Sequence, residues 1–171
     1  VIRDISNPVF TGGALAVPDG DAVVPTVNCL IGRFGAVVAT QDWHPSRHKS
    51  FASVHPGRDA FETIRLDYGE QTLWPDHCVQ GSPGAAFHPD LDSDAFELVI
   101  RKGFRREIDS YSAFQENDRR TQTGLAGYLK DRGFRRVFCC GLRRLGAPEA
   151  SRSSAWGAWT FRSAVWVLAV R

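Results

Sequence analysis

Gly35 to Thr40 reads GAVVAT, and Gln41-Asp42-Trp43-His44-Pro45 follows it directly. A short apolar run rich in β-branched residues, without polar alternation, suits a strand covered on both faces in a parallel sheet. Phe96 to Arg101 (FELVIR) and Arg136 to Cys140 (RVFCC) have the same character. Helix-like stretches precede and separate them. Pro25 to Ile31 reads as a helix entered through an acidic cap at Asp19-Gly20-Asp21, with its proline tolerated in the first turn. Thr121 to Arg132 places Leu125, Tyr128, Leu129 and Arg132 on one face and meets Gly133 as its stop. Strand, helix and strand in that order predict an α/β, doubly wound, three-layer fold with a mainly parallel sheet.

On this reading Asp4, Asp42, Lys102 and Gly141 each sit just past the carboxyl end of a strand, where open α/β sheets bind their ligands. The long loop from Pro45 to His88, rich in Gly, Pro, Ser and Asp, then forms a wall of the site. Two stretches in this region, QDWHP and WPDHC, carry Asp42, His44 and His77, with His48 close by. A carboxylate and an imidazole two residues apart can turn toward one point as they leave a strand. A second imidazole from a later loop completes an open divalent-cation site. An isolated histidine is ordinarily a surface or satisfied polar residue, and His55 and His88, with no second ligand type beside them, keep that reading.

At 171 residues the chain has the size of one domain, and 43% hydrophobic with 23% charged residues marks an ordinary soluble protein rather than a disordered one. No apolar run approaches the length of a membrane span, and Val1-Ile2-Arg3-Asp4 has no signal-peptide pattern, so the default compartment is cytoplasmic. A formal charge of +2, with no basic stripe interleaved with aromatics, gives no reason to expect nucleic acid. The cysteines at 29, 78, 139 and 140 lack zinc-finger spacing, and the adjacent pair on a strand would face opposite ways, so all four read as reduced thiols.

The segments GGALAVPDGDAVVPTVN, VVATQDWHPSRHKSFAS, LWPDHCVQGSPGAAFHPDL and VIRKGF with IDSYSAF together resemble the nicotinamidase/pyrazinamidase branch of the isochorismatase-like cysteine hydrolases, over about Asp4 to Leu142. The resemblance implies that residues 1–142 form an isochorismatase-like hydrolase domain. It further implies a metal-dependent amidase that converts nicotinamide to nicotinic acid and ammonia in NAD salvage. Asp4 matches the family's general base and Lys102 its catalytic lysine. Asp42, His44 and His77 match its metal ligands, with His48 an additional candidate. The implied cofactor is a divalent metal, zinc before iron or manganese, which binds the pyridine nitrogen and orients the amide. The implied partner is a nicotinamide- or pyrazinamide-like small amide, and copies of the same chain are the one candidate macromolecular partner.

The family places its nucleophilic cysteine six residues after a glycine in G-[LI]-A-T-D-x-C. Here Gly141-Leu142 begin that turn, but Arg143-Arg144-Leu145-Gly146-Ala147 follow. Ala147 holds the cysteine's register, and no cysteine occurs after Cys140. Composition shifts at the same place: five arginines and one acid follow residue 142, leaving that segment at +4 and the remainder at −2, and it holds three of the five tryptophans. Residues 143–171 therefore read as an aberrant tail, from a shifted frame or a truncated product, or else as a divergent strand such as Ala164 to Val170 docking on the sheet. Ser6, Pro8 and Val9 also depart from the family's D-x-Q-N-D-F start. The expectation is impaired hydrolysis, with a catalytically inactive metal- and nicotinamide-binding homologue, or a non-functional fragment, as the alternative.

Overall fold

The computed structural model describes residues 2–3, 14–141 and 168–169, the first and last pairs as backbone only. Four parallel strands run β5-β2-β1-β6: Ile2–Arg3 (β1), Val37–Asp42 (β2), Leu98–Lys102 (β5) and Cys140–Gly141 (β6). Leu168–Ala169 (β7) pairs antiparallel with Val37 and Val38. The rest of the tail, Ala147 included, and Asp4 with Ser6, Pro8 and Val9 lie outside the described residues.

The buried residues of β2 sort by parity, as the two-residue period of a strand requires. Val37 and Ala39 pack with Val24, Val27 and Ile31 of helix α1 (Val24–Ile31). Val38 packs with Ile100 and with Leu125 and Leu129 of helix α2 (Leu125–Asp131). The two helices thus cover opposite faces of one strand, which makes three layers. Among the described residues no helix is long and apolar enough to cross a membrane.

Several boundaries differ from expectation, each for a local reason. The strand expected at Gly35 to Thr40 runs from Val37 to Asp42, so Asp42 closes the strand instead of following it. Asp19-Gly20-Asp21 do not cap α1. Asp19 has left-handed backbone (φ 54°), its carbonyl accepts the Ala22 N–H, and a 3-10 turn, Gly20–Val23, leads into the helix. Helix α2 starts four residues later than its apolar spacing suggests, because Gly124 at φ 93° cannot be helical and Thr121 is held by the Asp118 carboxylate. Gly133 does end it, at φ 67°. RVFCC yields strand only at its end, with Cys139 exposed and Cys140 half-buried, so Cys139 is not the buried strand residue expected. The loop from Pro45 to His88 contains an unforeseen hairpin, Thr63–Leu66 (β3) with Gly69–Thr72 (β4), closed through Asp67 and Tyr68.

Candidate metal centre

Strand pairing places the two charged candidates together. Asp42 and Lys102 are the last residues of adjacent strands and stand in register. Lys102 Nζ donates to Asp42 Oδ1 at 2.5 Å, with the lysine side chain only 2% exposed. A pair this well buried is costly to desolvate and is held by direct geometry, unlike a solvated surface lysine.

Past β2 the chain splices onto the later loop. His44 N–H donates to the Cys78 carbonyl at 2.9 Å and Gln80 N–H to the His44 carbonyl at 2.8 Å, a parallel bridge that lays QDWHP beside WPDHC. Phe51 bridges to Trp74 in the same manner. Its fully buried ring lies 5.5 Å from the His44 and His77 ring centroids and 5.7 Å from that of His48. Backbone pairing between two loops, closed around one apolar ring, brings the imidazoles together: His44 is 4.5 Å from His48 and 4.8 Å from His77, centroid to centroid.

Hydrogen bonds settle which nitrogens are available. A carbonyl can only accept, so His44 Nδ1–H donates to the Gly103 carbonyl (3.1 Å) and His77 Nδ1–H to the Pro75 carbonyl (2.8 Å). Each ring keeps the Nε2 lone pair. His48 differs: its Nε2–H faces the Arg105 and Ile108 carbonyls, and its Nδ1 accepts from the Ser50 hydroxyl and N–H. Neither nitrogen of His48 retains a lone pair for a metal. His55 bonds the Lys49 carbonyl and His88 lies beside Asp21 and Asp90, both apart from this cluster.

Donor atoms gather in two groups, each within 4.8 Å: Asp42, His77 and Cys78, and His44, His48 and Asp109. The His44 and His77 rings join them. Asp109, Gln71 and Ser50 were not anticipated as site residues. Asp109 lies in IDSYSAF, and spacing alone gives no sign that it returns to the imidazoles.

The His44 and His77 rings both favour neutral imidazole. Burial pulls the His44 pKa down to about 3, with His77 adding to the effect, and burial also lowers that of His77. The unfolded chain binds these protons more readily than the folded one. The His44 contribution is therefore complete above the ordinary value of 6.5 and is lost as pH falls from there toward about 3. The metal-free chain is expected to melt at progressively lower temperature from pH 7 to pH 4, and His44→Gln is expected to flatten that slope. A wild-type melting temperature constant over the range contradicts this account.

Comparison with known proteins agrees with the geometry. Residues 1–143 match the isochorismatase domain model. Nicotinamidase from Acinetobacter baylyi is 54% identical over 142 residues, covering 83% of this chain and 66% of its own. The solved Acinetobacter baumanii nicotinamidase/pyrazinamidase is 59% identical with a TM-score of 0.75, covering 77% of this chain and 63% of its own. A Pyrococcus horikoshii pyrazinamidase solved in complex with zinc is 35% identical with a TM-score of 0.57, covering 77% of this chain and 63% of its own. The chain thus spans just under two thirds of these relatives' lengths. It belongs to the isochorismatase-domain family, and within that family its sequence falls with the nicotinamidases and pyrazinamidases.

Proposed function

We propose that this chain is, by lineage, a divalent-metal amidase of the cytoplasm that hydrolyses nicotinamide to nicotinic acid and ammonia in NAD salvage. In this chain hydrolysis is severely impaired while binding of metal and amide persists. The observation that carries the metal reading is the pair of Nδ1–H donations from His44 and His77 to fixed carbonyls. A partner on one ring nitrogen sets the tautomer and aims the other, as in most metal-ligating histidines. Neutral imidazoles and a carboxylate suit zinc, iron or manganese, and the zinc complex of the Pyrococcus horikoshii neighbour favours zinc. When bound by Asp42, His44 and His77, such an ion supplies an open coordination position for a pyridine-type nitrogen. His48, with both nitrogens occupied, packs the cluster rather than ligating.

Lys102 holds its ammonium against Asp42 at the strand ends, and Asp4, which follows β1 in sequence, is the candidate base. A base and a cation flanking a thiol keep it as the thiolate, which is the attacking form in amide hydrolysis by cysteine. Ala147 stands in the register of that thiol, within residues 143–171, a tail whose sequence departs from the family pattern although Leu168–Ala169 pairs with β2. The second reading, a catalytically inactive metal- and nicotinamide-binding homologue, rests on that same missing cysteine. Calorimetric titration of nicotinamide, or of pyrazinamide, into zinc-loaded and chelator-stripped chain tests the binding function. Heat of binding is expected only with the loaded chain, and equal binding without metal refutes the site. A chain with no cooperative melt is instead a non-functional fragment.

A further inference from the structure

We propose that Asp109 is a positioning residue of the metal centre, setting the orientation and ligand strength of His44 from behind, with Gln71 holding it in place. This rests on the metal reading above. Asp109 is 3% exposed, and its carboxylate comes within 4.8 Å of ring nitrogens of His44 and His48. Gly103 shows how tightly the two approach: a Cβ there would overlap the His44 ring and lie 3.4 Å from Asp109 Oδ1. The backbone is bare where imidazole and carboxylate close on it.

Asp109 is itself fixed from two sides. Oδ1 accepts the Ser110 N–H at 2.8 Å and Oδ2 accepts Gln71 Nε2 at 2.9 Å. Gln71, fully buried on β4, also donates to the Tyr111 hydroxyl at 2.7 Å, and its Oε1 accepts from Tyr68 at 2.9 Å. Trp74 Nε1 donates to the same Tyr111 hydroxyl at 3.1 Å. A buried network with its polar atoms paired specifies one arrangement, because any shift strands a polar group. The hairpin thereby fixes the carboxylate that His44 packs against. With its oxygens held by Ser110 and Gln71, and His48 without a free lone pair, the group formed by His44, His48 and Asp109 serves to orient His44 rather than to form a second ion site.

Zinc affinity of the full chain, by competition with a chromophoric chelator, tests this together with the absorption spectrum of cobalt-loaded protein. Asp109→Asn removes the charge and keeps the shape. It is expected to weaken zinc at least about tenfold and to shift the cobalt bands. If D109N has no cooperative melt, Tyr111→Phe takes its place; it loosens Gln71 without touching the carboxylate and is expected to weaken zinc about threefold. Zinc affinity and cobalt spectrum unchanged in whichever variant folds overturn the inference. A wild-type chain that holds no zinc defeats the metal reading and this inference with it.

Discussion

Purified chain saturated with zinc and nicotinamide is expected to release ammonia at least about 10³-fold more slowly than an ordinary enzyme turning over at roughly 10 per second, a deficit of about 4 kcal/mol in barrier reduction. Covalent catalysis divides amide hydrolysis into two easier steps, and on the proposed loss of the nucleophile only binding and polarisation remain. The thiols that the chain does contain are poor substitutes. Cys78 is buried at φ 44°, its sulfur lies beside the Asp42 carboxylate, and its carbonyl accepts the His44 N–H. Burial pushes the Cys140 thiol up to about 11, so almost none is ionised at neutral pH. Cys29 and Cys139 are exposed, Cys29 on α1 and Cys139 just before β6. Turnover of about 1 to 1000 per second by the wild-type chain would refute the proposal.

Gly103→Ala is expected to destabilise the chain by about 2–4 kcal/mol and to abolish its metal affinity together with that stability. The residue has φ 56°, where an L side chain costs about 1 kcal/mol or more. An added methyl also lands on Cε1 and Nδ1 of the His44 ring, and overpacking of a closed site typically costs about 1–3 kcal/mol. Gly103 offers the carbonyl that sets the His44 tautomer, so the ring cannot retreat without losing its orienting bond. Denaturant melts with a parallel zinc titration measure both effects. A G103A chain with wild-type stability and wild-type zinc binding contradicts the packing described.

The three-layer architecture was legible because β2 has no polar alternation and both of its faces meet helices carrying apolar stripes. Asp42 and Lys102 were legible as strand-end residues, although their register, which creates the ion pair, depends on tertiary pairing. The hairpin was not legible: Thr63-Ile64-Arg65-Leu66 alternates for only four residues, and its partner Gly69-Glu70-Gln71-Thr72 carries no apolar residue to mark a strand. Asp109 and Gln71 were also hidden, since 38 residues separate them and their hydrogen bond exists only after the loops close. His48 shows the converse limit. Its spacing suits a ligand, but whether its lone pairs are free depends on Ser50 and two distant carbonyls.

A cation held by Asp42, His44 and His77 is tested most directly by a calorimetric zinc titration of wild-type chain against a His44→Ala/His77→Ala double variant. One ion per chain is predicted for the wild type, with affinity reduced by at least about 100-fold in a double variant that still melts cooperatively. Equal zinc affinity in the two proteins, or no zinc uptake by a folded wild-type chain, would contradict it.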